Sequence, residues 1–247
     1  MSRRFNVLYG LLCLCSILHA DAATGSMADT VKQVIEQQPK LIYDALIKYR
    51  QLEEQRMEKE ASQAVADHFD EVFSAKKGVI LTGNTENPKV VIAEFFDYNC
   101  GACRSMIPVM HEVLAKNPDV LVVSRPLPMF GEGSRFASQM AYAAKSFSDT
   151  AYQDLSNAFA AEKRVMDKNR VSEIVKANRF SQEWVSLANS PDMKSFVEAN
   201  QALAITLNLA ATPMFYIAAV DQVDSVLVSP GAMSEEVFSE LIDAVRQ

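Results

Sequence analysis

Apolar residues recur at helical spacing through the first third of the chain. Residues 27 to 38 read as a short helix, and Pro39, suited to a first helical turn, opens a longer pattern running to about Ser74. Ile42, Leu46, Tyr49, Glu53 and Met57 share one stripe flanked by Ala45 and Leu52. Opposite charges four apart, Asp44 with Lys48, Arg50 with Glu54 and Arg56 with Glu60, furnish a solvated face. So long an amphipathic helix needs a cover for its stripe. Self-association with the same segment of another subunit is the favoured reading, folding back on its own domain the other, and the stripe alone does not choose between dimer and trimer.

After Lys76-Lys77-Gly78 the pattern changes to strands: Val79 to Leu81, a turn through Gly83-Asn84 and Asn87-Pro88, then Val90 to Phe96. The second run is apolar apart from Glu94, as a strand covered on both faces should be. A helix follows to about Lys116, with Asn99 as its expected cap and Pro108 as an expected kink, and Val120 to Ser124 forms the next strand. Strand, helix, strand in this order predicts a parallel βαβ unit. From Ser134 to Leu209 the pattern is helical, with breaks near Ser148-Asp149, Asn178 to Ser181 and Ser190-Pro191. Thr212-Pro213 then precedes a strand over Met214 to Ala219, another over Ser225 to Val228, and a closing helix from Ser234 to Arg246. The fold class is α/β, with a packed helical subdomain inserted at about 134–209 and a helical extension at 23–77 ahead of a domain at 78–247.

Composition narrows the function. With 49% apolar and 22% charged residues in 247, the chain can bury a sizeable core; a net charge of −7 supplies no field for phosphates, so nucleic acid is not an expected partner. Arg3 and Arg4, the apolar run Val7 to Leu18 and the small-x-small Ala20-Asp21-Ala22 predict a secretory signal cleaved after Ala22, the run being short against the roughly 20 residues of a membrane span. The uncharged stretch Ala199 to Val220 imitates a span, but its Asn, Thr and Pro residues fit a helix end, a turn and a buried strand better.

Cleavage would remove Cys13 and Cys15 and leave Cys100-Gly101-Ala102-Cys103. In an oxidising compartment two such cysteines pair, stay reactive or hold a metal. A cysteine at the first turn of a helix meets unpaired N–H groups and the positive end of the dipole, which favour a thiolate; one three residues on lies a turn up the same face, within reach to resolve a mixed disulfide. Cys100 is thus the expected exposed attacking sulfur and Cys103 its buried partner. The loop between them is too short to brace a fold, which favours redox work. A zinc site lacks ligands, since His68 and His111 fall on different helices. Copper(I), which needs only two thiolates, stays open as an alternative, as does a surface-exposed binding protein. No metal centre and no cofactor beyond a Cys100–Cys103 disulfide is expected.

Glu94-Phe95-Phe96-Asp97-Tyr98-Asn99-Cys100-Gly101-Ala102-Cys103, the helical insertion and the later Thr-Pro resemble, in that order, the DsbA-like thiol-disulfide oxidoreductases of the bacterial periplasm, and most closely the Com1/ScsC-type branch with N-terminal oligomerisation helices. The resemblance implies a thioredoxin fold, Cys100 as nucleophile, Cys103 as resolving thiol, and Glu94 as a buried acid moving a proton to or from the second sulfur. It also implies a cis Pro213, with Thr212 before it, facing the disulfide and offering backbone groups to an extended substrate. Implied partners are cysteine-containing exported proteins, a membrane redox protein of DsbB or DsbD type, and further copies of the chain as homodimer or homotrimer. Ala102 departs from relatives with His or an aromatic residue there and implies a less oxidising couple. Oxidase and isomerase directions both stay open.

Overall fold

The computed structural model describes residues 26–74, 78–178, 182–222 and 225–246, without the Gln182 side chain. The expected signal at 1–22, with Cys13 and Cys15, lies outside the described residues. The chain divides into two compact units, one ending at Glu53 and one beginning at Glu54.

The first unit contains α1 (Met27–Gln37) and the start of α2 (Pro39–Asp67). Ser26 opens α1 with a capping box, its hydroxyl accepting from Asp29 N–H while the Asp29 carboxylate accepts from Ser26 N–H. No described residue of this unit is buried, and the stripe Ile42, Leu46, Tyr49 and Leu52 is exposed. Of the expected charge pairs along α2 Arg56–Glu60 forms at 2.6 Å, whereas Asp44 pairs with Lys40, one turn before it, and not with Lys48, one turn after it.

In the second unit the helix expected to run to Ser74 breaks at His68, and α3 (Phe69–Phe73) starts anew. The break lets Val65, Val72 and Phe73 all reach the core. The sheet has five strands, β1 (Ile80–Gly83), β2 (Val90–Phe96), β3 (Val120–Pro126), β4 (Met214–Ala219) and β5 (Leu227–Pro230), in the order β1-β3-β2-β4-β5. β2 and β3 are parallel and joined through α4 (Gly101–Lys116), the βαβ unit read from the pattern; the other neighbours are antiparallel. β5 lies two residues later than expected, because its ladder on β4 runs from Leu227 to Pro230. The apolar segment 199–220 is the end of a helix, a turn and β4. No helix among the described residues is long and apolar enough to cross a membrane.

Side chains on β2 alternate between two cores, as a pleated strand dictates. Val90 and Ile92 pack with Met106, Met110 and Val113 of α4 and with Phe238 and Ile242 of α10 (Glu235–Val245). Lys116 at the end of α4 and Glu235 at the start of α10 form an ion pair that suits both helix dipoles. Val91, Ala93 and Phe95 face the other way, against Val65, Val72 and Phe73 and against Leu203, Ala204 and Leu207. Arg125 on β3 is buried, and its guanidinium donates to the Glu71 and Val72 carbonyls at the end of α3 and to Asn200 Oδ1. These acceptors satisfy the buried cation, and burial lowers its pKa to about 10.

The insertion consists of α5 (Glu132–Phe147), α6 (Asp149–Ala161), α7 (Lys168–Ala177), α8 (Gln182–Ala188) and α9 (Pro191–Thr206), forming a third core that also takes in Phe96, Tyr98 and both cysteines. Ser148 and Ser190 cap α6 and α9 at the expected breaks. A further break at 162–167, absent from the sequence reading, separates α6 from α7, and it borders the site.

Candidate redox site

β2 delivers the Cys-Gly-Ala-Cys segment to the N-terminus of α4. Cys100, expected to follow a cap at Asn99, is itself the N-cap, with extended backbone (φ −74°, ψ 120°) and a sulfur that accepts from Cys103 N–H at 3.4 Å. Its thiol donates to the Thr212 carbonyl at 3.3 Å. Both cysteines are present as thiols. Cys100 is not the freely exposed sulfur expected from the sequence: it is 8% accessible, because the Thr212 carbonyl lies against it. Cys103 is buried at 1%, one turn into the helix. Burial pushes its pKa well above the ordinary thiol range, and the Asp97 N–H, donating to its sulfur at 3.5 Å, offsets this only in part.

Thr212 and Pro213 reach this place through the sheet. β4 runs antiparallel to β2 with Met214 opposite Phe95, so the residues just before β4 lie beside the end of β2. The Thr212–Pro213 peptide bond is cis, Pro213 is buried, and Gly231 N–H donates to the Pro213 carbonyl.

Glu94 shares the face of Val90 and Ile92, the face that α4 covers, and is 6% accessible. Its neighbour across the parallel ladder is Ser124, whose hydroxyl donates to it at 3.4 Å. Burial lifts the carboxyl pKa from the ordinary 4.5 to about 7, against a small lowering by that hydroxyl. A cavity of about 50 Å³ borders the carboxyl, lined also by Tyr98, Tyr152, Ser156 and His111. His111, read from the sequence as an ordinary helix residue, thus faces the same small space as Glu94, whereas His68 lies at the start of α3 beside Glu71.

Two residues of the motif carry contacts that the sequence reading missed. Asn99 donates through its amide to Ser134 Oγ and the Met166 carbonyl and accepts from Met166 N–H, which ties the Cys-Gly-Ala-Cys turn to α5 and to the 162–167 break. Asp97, fully buried, accepts from Asn99 N–H on one carboxylate oxygen and from Met129 and Phe130 N–H on the other. The available signal was two polar residues inside an otherwise buried string; their partners, 30 to 70 residues away, leave no local trace. Gly133 makes the Asn99 contact possible: a Cβ there would lie 1.8 Å from the Met166 carbonyl oxygen.

Comparison with known proteins agrees with this architecture. A thioredoxin family model matches residues 74–244, and no curated protein sequence matches the chain. Among solved structures, BcfH of Salmonella enterica Typhimurium superposes with TM-score 0.75 at 20% identity, covering 89% of this chain and 94% of that one. A linker-deletion variant of Proteus mirabilis ScsC gives TM-score 0.66 at 21% identity over 90% and 97% of the two chains. A thioredoxin-like oxidoreductase of Silicibacter pomeroyi gives 0.62 at 26% identity over 72% and 96%. The chain belongs to the thioredoxin family, and its fold is the one that ScsC and BcfH share.

Proposed function

We propose that this chain is a periplasmic thiol-disulfide oxidoreductase that forms or isomerises disulfides in exported proteins, Cys100 attacking and Cys103 resolving. The observation that carries the reading is the Cys100 sulfur at the tip of α4, against the Thr212 carbonyl of the cis Thr212–Pro213 segment and one helical turn from a buried second thiol. An incoming disulfide would be attacked by Cys100, leaving a client–Cys100 mixed disulfide; Cys103 then displaces the client as a thiol, and the reverse sequence donates the disulfide. Glu94, buried on the α4 side of β2 with a pKa near neutrality, takes the proton that Cys103 must lose in this step. Thr212 and Pro213 receive the extended client. Met129 and Phe130, exposed at 44% and 55% and held by the Asp97 carboxylate, offer apolar surface to unfolded segments.

The exposed stripe of the first unit supports association of two or three copies, with isomerisation as its use: several active sites around one client would hold it while Cys100 attacks. A membrane protein of DsbB or DsbD type would recycle the pair. The test is a Cys103→Ser variant expressed with its signal. Expected is accumulation of client adducts that reductant releases and that a second Cys100→Ser change abolishes; no adducts, with tight copper(I) binding by the reduced protein, would replace this reading with a carrier.

Ala102 bears on direction. It is exposed in the first turn of α4, so Ala102→His adds a polar, partly cationic ring near Cys100 at little cost to folding. The expected result is a more oxidising couple, by about 30 mV or more, seen as a roughly tenfold shift toward the dithiol in glutathione buffers.

A further inference from the structure

Asp97 is the residue between β2 and the redox turn, and all four of its polar backbone and carboxylate atoms are engaged around the two sulfurs. Its N–H donates to Cys103 Sγ at 3.5 Å and its carbonyl accepts from Cys100 N–H at 3.0 Å. One carboxylate oxygen accepts from Asn99 N–H at 2.7 Å, closing a turn over residues 97–99; the other accepts from Met129 N–H at 2.6 Å and Phe130 N–H at 3.1 Å. The residue has no accessible surface. A carboxylate removed from water is sustained only by such donors, and in return it holds them rigidly.

Resting on the oxidoreductase reading above, we propose that Asp97 is a positioning residue for the resolving step: its carboxylate locks the turn that aims the Asp97 N–H at the Cys103 sulfur. In that step the Cys103 thiolate, its proton gone to base, attacks Cys100 Sγ of a Cys100–glutathione mixed disulfide. The Cys100–Cys103 bond forms, the Cys100–glutathione bond breaks, and glutathione leaves as a thiolate that takes a proton from solvent. The dithiol is oxidised and one glutathione disulfide is reduced to two thiols. A hydrogen bond to the developing Cys103 thiolate speeds this step and has no part in the first attack by Cys100.

Two substitutions separate alignment from mere stability. In Asp97→Asn the amide has a single acceptor oxygen; two donors on the loop outweigh one on the turn, so the oxygen faces Met129 and Phe130 and the NH₂ group confronts Asn99 N–H. In Asp97→Ser the hydroxyl reaches Asn99 N–H, its neighbour two residues on, and not the loop. The reduced full-length protein is mixed with glutathione disulfide in stopped flow, and the second-order attack and first-order resolution are resolved. Expected for Asp97→Asn is resolution slower by about tenfold or more with attack changed far less, together with faster hydrogen exchange at the Asn99 amide. Expected for Asp97→Ser is resolution within about threefold of the parent. Unchanged resolution in a folded Asn variant, or a folded Ser variant slowed about tenfold, would overturn the proposal, and the Ser variant decides if the Asn variant does not fold. If the parent protein shows no attack on glutathione disulfide, the oxidoreductase reading fails instead.

Discussion

Replacing Glu94 by Gln should make the protein more stable at pH 8 by about 3 kcal/mol while leaving stability near pH 4 almost unchanged. The carboxyl is raised from 4.5 to about 7 in the folded state because β2, α4 and the insertion remove it from water. Between these values the folded chain holds a proton that the unfolded chain has released, so folding loses about 1.4 kcal/mol per pH unit. The contribution is therefore complete below about pH 4.5, is lost as pH rises toward 7, and changes no further above it. Gln has the shape of the protonated acid and no charge to desolvate. Urea unfolding of both proteins at pH 4, 6 and 8 checks this: the two stabilities should diverge with rising pH, and parallel curves would mean that Glu94 is solvated in the folded protein. The same change should slow resolution by Cys103, so that a more stable protein is a poorer redox catalyst, as expected where a buried acid is kept for chemistry.

Gly133→Ala is expected to destabilise the protein by about 3 kcal/mol, the upper range for overpacking, and to impair the redox turn as well. The new Cβ would meet the Met166 carbonyl oxygen at 1.8 Å and the Asp167 Cα at 2.9 Å, backbone atoms that no rotamer change can clear. Either the start of α5 or the segment 162–167 must move. Both hold Asn99, through Ser134 Oγ on one side and the Met166 backbone on the other, so the shift reaches the residue before Cys100. Thermal unfolding, read together with the rate of Cys100 alkylation, checks this: a lower midpoint with altered alkylation is expected, and an unchanged midpoint would show that this close approach is not maintained in solution.

Much of the site was legible from local pattern. Near-continuous apolarity marked β2 as a doubly covered strand, and strict alternation along it sends Glu94 to the face of Val90 and Ile92. The three-residue spacing placed Cys103 one turn above Cys100. What local pattern misjudged was accessibility and neighbourhood. Cys100 was expected to be open, yet Thr212, more than a hundred residues away, lies over it. Asn99 was expected to cap α4, but its amide serves a segment from the insertion and leaves capping to the cysteine sulfur. The break at 162–167 carries neither Gly nor Pro; its one local signal was Asp167, which caps α7 by accepting from Arg170 N–H and which the sequence reading passed over.

The amino-acid order alone therefore determined most of the elements, their sequence along the chain and the two sulfurs at a helix start, but not the breaks at His68 and 162–167, because periodicity, capping and i,i+3 spacing act between residues close in the chain. Tertiary structure decided what surrounds those sulfurs: the Thr212 carbonyl on Cys100, the Asp97 N–H on Cys103, the burial that lifts Glu94 toward neutrality, and the carbonyls that hold Arg125. Each of these depends on distance through space and on the exclusion of water, quantities set by how β4, the insertion and α3 pack against β2 and β3 and carried by no single stretch of chain.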